Sequence, residues 1–404
     1  MPATERVEIE GHIVDSLILA KVLDLIVGAG AEYAIVDMAI GRTQTDRSRA
    51  VIDVVAEDEP SLERLLEHLQ VHGVNRLTDT DASSVAADAD GVLPEGFYST
   101  TNLPTSVRIG GHWEPVANPE MDCALVLGAT GPRTVPMHRI RRGDSVVVGP
   151  DGVRVEALPR AAAELSFEFM ASEVSSEKPK ALLVRQVADR VRACRDRGER
   201  ILVVCGPVLV HTGACPDLAR LIREGWVDVL FAGNGFATHD MESNVLGTSL
   251  GISVEAGLPI ELGHSNHLRV INEIRRRGSI AAAVQDGYVT GGVMYECVTR
   301  GVPFVLVGSV RDDGPLPDVF TDVVQGVDVM REHVGDVGAA LMFASTLHAI
   351  ATGNILPARV ETFCVDINPA VATKLTDRGS HQAVGIVTDI GLFVRDLTTE
   401  LCGT

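Results

Sequence analysis

Ile201-Leu-Val-Val-Cys205, running into Gly206-Pro-Val-Leu-Val-His-Thr-Gly213, and Val227-Asp-Val-Leu-Phe-Ala232, running into Gly233-Asn-Gly-Phe-Ala-Thr-His-Asp240, decide how this chain is read. Each is a short apolar run with the length of a buried parallel strand, and each stops at glycine. In an open α/β sheet, ligands sit where loops leave the carboxyl ends of the strands. Glycine-rich loops at helix N-termini present backbone N–H groups to phosphate. Gly206, Pro207, Thr212 and Gly213 are therefore candidate cofactor-binding residues, and so are Gly233, Asn234 and Gly235. Tight turns with no ligand are the competing reading.

From about Arg160 onward the pattern alternates between strand and helix. Strands are expected at 303–307, 360–365 and 384–387, and helices at 177–197, 213–224, 266–277, 281–300, 336–351 and 389–401. This predicts a doubly wound parallel α/β sheet over 160–404. Before it, residues 1–82 read βαββαβ, the ferredoxin-like order, with Ser16 placed to cap the first helix. Residues 80–92 read as a linker, and 93–158 as a small β-rich module with strands at 106–109, 123–127, 133–136 and 145–148. Gly28-Ala-Gly30 imitates a dinucleotide fingerprint but follows a helix, where the true motif follows a strand. It is expected to end that helix.

Two further strand ends carry polar groups. Phe304-Val-Leu-Val opens into Gly308-Ser309-Val310-Arg311-Asp312-Asp313-Gly314. An arginine fork suits a carboxylate and an aspartate suits an ammonium, so the pair fits an α-amino acid. A surface salt bridge is the alternative. Val360 to Val365 ends in Asp366-Ile367-Asn368-Pro369, where an acid could meet a ribose diol or simply cap the next helix. His239-Asp240-Met-Glu242, with Gly263-His264-Ser-Asn-His267, matches no zinc spacing; a ligand-facing or subunit-joining role is expected of His239 and Asp240, and no metal.

The net charge of −20 excludes nucleic acid as the expected partner. No apolar run approaches the ~20 residues that span a bilayer. The start is read as carrying no signal peptide, and the seven cysteines form no Cys-x-x-Cys pair, which predicts reduced thiols and a cytoplasmic protein. Helices 281–300 and 336–351 are apolar over much of their circumference, which predicts burial in a core or in a homodimer or homotetramer interface.

The stretches 206–213, 232–242 and 308–317, with Asp366-Ile-Asn-Pro369, resemble the archaeal-type ornithine cyclodeaminase family, whose N-terminal part is the LOR/SDH region. The same module is similar to the C-terminal part of cyanobacterial bifunctional arginine-degrading enzymes. The resemblance runs over nearly the whole chain. It implies a Rossmann-like domain of the deoxyhypusine synthase type, NAD as cofactor, and no arginine hydrolysis. It implies a cyclising ammonia-lyase of proline biosynthesis and arginine/ornithine catabolism. L-Ornithine would lose hydride from Cα, close through its δ-amine, release ammonia and take the hydride back as L-proline.

That chemistry needs a carboxylate anchor, a base and exclusion of water. Arg311 is the candidate anchor. Asp312 or Asp313 is the candidate base or ammonium partner, with His239 and Asp240 as alternatives. Asn234 and Thr212 would face the nicotinamide or phosphates, with Gly308, Ser309 and Asn368 beside the cofactor and Asp366 on the adenosine ribose. Rival readings are another NAD-dependent amino-acid or opine oxidoreductase, a non-catalytic amino-acid-binding protein, and an aminobutyl transferase, for which Lys374 is the lysine nearest these loops.

Overall fold

The computed structural model describes residues 2–14, 18–42, 46–70, 72–77, 80–156, 180–249, 252–253, 265–312, 314–377 and 383–403. Ser16, His264 and Asp313 lie outside the described residues. The chain divides into one unit of Met1–Ser166 with Asn354–Arg359, and a second of Phe167–Gly353 with Val360–Thr404.

The first unit opens with β1 (Ala3–Gly11), α1 (Ile18–Gly28), β2 (Glu32–Ala39), β3 (Ser48–Ala56), α2 (Glu59–Gln70) and β4 (Val74–Arg76). Its antiparallel sheet has the order β2-β3-β1-β4. Strand residues Val7, Ile9, Ile52 and Val54 pack with Val22, Ile26, Leu62 and Leu69 of the two helices. Gly30, at φ 73°, ends α1: its neighbour Ala31 returns an N–H to Ile26 O, a turn that a side chain would strain.

Two smaller sheets follow. One has the order β5-β10-β8-β9, from β5 (Ser83–Ala86), β8 (Ala124–Gly128), β9 (Gly131–Val135) and β10 (Ser145–Val148). The other has the order β11-β6-β7, from β6 (Thr105–Ile109), β7 (His112–Pro115) and β11 (Val153–Val155). Val107, Leu125, Val147 and Val153 form their common core. The stretch 80–92 thus contains a strand where a linker was expected. Ser83–Ala86 is an exposed edge strand paired with β10, and its two serines carry no apolar signal.

The second unit is built on seven strands: β12 (Arg200–Cys205), β13 (Val229–Gly233), β16 (Phe304–Val307), β17 (Val319–Phe320), β18 (Val337–Phe343), β19 (Glu361–Asp366) and β20 (Ala383–Val387). The short hairpin β14 (Thr248–Ser249) and β15 (Ile252–Ser253) stands apart from this sheet. The sheet is parallel throughout, in the order β17-β16-β13-β12-β18-β19-β20. The chain first builds outward from β12 on one side and later returns to its other side with β18. The topological switch point therefore lies between β12 and β18.

Helices α3 (Lys180–Asp196), α4 (Val208–His211), α5 (Cys215–Arg223), α6 (Asn234–Leu246), α7 (Asn266–Arg277), α8 (Ile280–Gln285), α9 (Val293–Arg300), α10 (Val323–Glu332), α11 (Leu347–Ile355), α12 (Pro369–Asp377) and α13 (Ile390–Cys402) complete the unit.

Two helix expectations are corrected. The span 336–351 is not one helix: Val337–Phe343 is β18, an interior strand of the sheet buried at every residue, and α11 begins only at Leu347. Gly-Ala-Ala-Leu-Met is rich in helix-forming types, but a seven-residue apolar run is also what a doubly covered parallel strand looks like, and the sheet decided. The span 281–300 is two helices, because Gly287, Gly291 and Gly292 turn the chain between α8 and α9.

Candidate functional site

Parallel pairing sets the strand ends level. Cys205 lies opposite both Ala232 and Phe343; Gly233 lies opposite Val307, Phe343 opposite Val365, and Asp366 opposite Val387. The stretches 206–213, 233–235, 308–312, 344–348 and 366–368 therefore leave one edge of one sheet. At the switch point the backbone itself forms the floor. Gly206 donates its N–H to Phe343 O at 2.9 Å, and a Cβ on Gly206 would stand 1.8 Å from Ala344 O. Only glycine fits, and Ala344 is itself held at φ 46°. This cradle without side chains is the geometry that a dinucleotide needs for close approach.

The loops differ from expectation in what their side chains do. Residues 208–211 wind into α4, which puts Thr212 at its C-terminal end, away from any helix N-terminus. Its hydroxyl donates to Val208 O at 3.0 Å. The stretch 233–240 is no loop: β13 passes straight into α6, with Gly233 at the N-cap and Asn234 as the first helical residue. The Asn234 side chain is buried. It donates to Gly314 O at 3.2 Å and accepts the Leu316 N–H at 2.9 Å, so it fastens the 314–316 segment to the head of α6. Gly235 stands next to it on the first turn.

After β16, Gly308 donates its N–H to Phe320 O. Ser309 donates its N–H to Asp312 Oδ2 at 2.8 Å, and Arg311 its N–H to Ser309 Oγ at 3.2 Å. Asp312 thus shapes its own turn, while the Arg311 side chain is exposed. After β19, Asp366 accepts the Asn368 N–H at 2.8 Å, and Asn368 in turn accepts the Ala370 N–H at 3.0 Å at the head of α12. The helix cap is therefore Asn368, and Asp366 is the last residue of β19.

Asp240 does not face a ligand. Its carboxyl is wholly buried and accepts the N–H groups of Val293 (3.0 Å) and Met294 (2.8 Å) at the head of α9. Those N–H groups have no partner within the helix, so the acid completes it. Burial pushes its pKa up to about 6, against the pull of the two backbone hydrogen bonds. Spacing concealed this role, because the groups satisfied lie some fifty residues downstream.

His239 lies on the other side of α6. Its Nδ1 is 2.8 Å from Glu242 Oε2, and Glu242 is fully buried. Glu242 Oε1 accepts the Thr248 hydroxyl at 2.7 Å, and Thr248 Oγ1 accepts from Asn266 Nδ2 at 2.9 Å. The rings of His211 and His267 lie 5.3 and 6.2 Å from that of His239. Of this cluster, sequence reasoning singled out His239, Glu242 and His267, without pairing the first two. The i, i+3 spacing of His239 and Glu242, which puts both on one helical face, was the available signal.

His348 was also missed, hidden in the supposed helix 336–351. It donates through Nε2 to Val307 O at 3.3 Å and lies over Gly233, and burial pushes its pKa down. Among the described residues no group of three His, Cys, Asp or Glu side chains could hold a metal ion. No helix among them is long and apolar enough to cross a membrane.

Known proteins match along the whole length. Residues 185–397 match the family described as arginine dihydrolase ArgZ-like, C-terminal, Rossmann fold. Residues 4–103 match the LOR/SDH bifunctional enzyme conserved region, and 104–184 match the ArgZ-like C-terminal first region. The chain is 48% identical to a protein of Methanothermobacter thermautotrophicus named ornithine cyclodeaminase, covering 98% of each. It is similar to the crystal structure of apo ArgZ from cyanobacteria, an arginine dihydrolase, at 36% identity and a TM-score of 0.85, over 99% of this chain and 58% of that one. It is also similar to the ternary complex of AgrE with ornithine and NAD+, at 40% identity and a TM-score of 0.54, over 99% of this chain and again 58% of that one.

Proposed function

Because the chain belongs to the ArgZ-like C-terminal Rossmann-fold family, with an LOR/SDH region at its head, we propose that it is an NAD-dependent ornithine cyclodeaminase. It converts L-ornithine to L-proline and ammonia. The observation that carries the reading is the side-chain-free cradle at the switch point, Gly206 against Ala344, in a chain 48% identical over nearly its full length to a named ornithine cyclodeaminase.

NAD+ bound at that crevice would supply the hydride chemistry of the reaction, and the residues around it would hold and orient the two molecules. Gly206 and Pro207, at the end of β12, would give the pyrophosphate a backbone to lie on, and Asp366, the last residue of β19, would take the adenosine ribose. Gly308 and Ser309 border the same edge. Arg311, exposed at the end of β16, takes the substrate carboxylate, and Asp312 beside it takes an ammonium group. Holding both ends of ornithine keeps the δ-amine next to the carbon it attacks, which replaces a bimolecular encounter by an intramolecular one. Asn234 acts at one remove, by fixing 314–316.

The cysteines support a cytoplasmic setting: all seven are free thiols. A homodimer or homotetramer no longer finds support in 336–351, whose apolar run is an interior strand. It finds support in the edge strand β2, where Tyr33, Ile35, Val36 and Met38 are all exposed. Incubating the purified protein with L-ornithine and catalytic NAD+ tests the function. Proline and ammonia in equal amounts, without NADH accumulation, are expected; steady NADH formation would point to an ordinary dehydrogenase, and no proline under any condition would end the reading.

A further inference from the structure

The buried side of α6 carries chemistry that substrate binding does not use. Glu242 is fully buried, so its charge must be met inside the protein. Thr248 meets one oxygen and His239 the other. A carboxylate held against Nδ1 keeps a proton on that nitrogen and turns Nε2 outward as the working nitrogen. Nε2 of His239 has no hydrogen-bond partner among the described residues. The ring of His211 lies 5.3 Å from the His239 ring, centroid to centroid. His211 belongs to the 206–213 stretch that leaves β12 at the switch point; its own Nδ1 is held by Ser249 Oγ at 2.7 Å, and its ring reaches solvent. The series Glu242, His239, His211 thus runs from the interior to the carboxyl edge of the sheet.

Resting on the cyclodeaminase reading, we propose that His239 and His211 form the proton relay of the reaction, with Glu242 as the positioning residue that holds His239 in its working tautomer. The chemistry calls for a carrier that gives back what it takes. The ornithine cation becomes zwitterionic proline and ammonium, so no proton is gained or lost overall. The α-nitrogen gives up a proton before the imine forms, the δ-ammonium gives one up before it attacks, and the departing nitrogen must be protonated to leave. An imidazole can serve in both directions near neutral pH. Burial, with His239 nearby, lowers the pKa of His211, which leaves it neutral and ready to accept at pH 7. Among the described residues, the titratable groups facing His239 are Glu242 on its own helix, His211 on α4 and His267 on α7. β14 brings only Thr248 and Ser249, and β13 and β16 are apolar there. Asp240 is turned to α9, whose Glu296 is already paired with Arg223.

The test uses Glu242→Gln and His211→Asn in the full chain. Glu242→Gln presents an amide N–H to Nδ1 and reverses the tautomer. Its kcat should fall by about 100-fold or more, with the ornithine KM and the NAD+ Kd within about threefold of wild type and the acid limb of the kcat–pH profile displaced. His211→Asn, at the solvent end, should keep the wild-type Tm and lose at least about tenfold in kcat, with partial rescue by added imidazole. If Glu242→Gln does not fold, His211→Asn decides alone. Wild-type kcat and pH profile in His211→Asn, or an unchanged pH profile in folded Glu242→Gln, would overturn the relay while leaving the function intact. A wild-type protein that makes no proline would overturn the function itself.

Discussion

Asp240→Asn separates a structural acid from a catalytic one. The carboxyl is fully buried at the head of α9, and its pKa is about 6 in the fold against the ordinary 3.8. At ~1.36 kcal/mol per pH unit, this displacement is worth about 3 kcal/mol. The folded pKa is raised, so the folded state keeps its proton to higher pH than the unfolded chain does. The stabilisation is complete below 3.8 and lost as the pH rises through about 6. An asparagine does not titrate. It keeps one acceptor for Val293 or Met294 and leaves the other N–H facing an amide, at a cost of about 1–3 kcal/mol at any pH. The variant is thus expected to be less stable than wild type at pH 4 and to recover roughly 2 kcal/mol relative to it by pH 7. Urea unfolding from pH 4 to 7, followed by the fluorescence of the two tryptophans, Trp113 and Trp226, reads that difference. Folded variant should turn over ornithine within a few-fold of wild type. A stability gap constant to within about 1 kcal/mol would show that the carboxyl titrates normally, and a well-folded variant with no activity would return Asp240 to the reaction.

Gly206→Ala places a methyl against Ala344 O, so the floor must open; NAD+ affinity measured by calorimetry should drop at least about tenfold, equivalent to ~1.4 kcal/mol. Arg311→Ala should raise the KM for ornithine far more than it weakens NAD+ binding, and equal losses of both would place the guanidinium elsewhere. Asn234→Ala gives up two hydrogen bonds and frees 314–316. Unfolding should show a loss of about 1–3 kcal/mol, and limited proteolysis should cut near Gly314.

The linear chain was enough for anything written as local periodicity. The βαββαβ order, the Gly30 helix end and the strands at Ile201 and Val229 depend on side-chain alternation and on glycine, which act within a few residues. It was enough, too, to name the strand ends where ligands gather. What it could not settle was whether Val337-Gly-Ala-Ala-Leu-Met-Phe343 is helix or strand. Both forms bury the same side chains, and only partners on each side, β12 and β19, make the extended form the lower in energy. With that strand came the switch point, the Gly206–Ala344 cradle and His348. Nor could sequence divide Asp240 from His239. They are adjacent in the chain, but a helix turns successive residues about 100° apart. Asp240 therefore fell to the N–H groups of α9, and His239 to Glu242 and His211. Residue chemistry was legible one position at a time; which acid caps and which can move a proton was decided by the burial and partners that folding supplies.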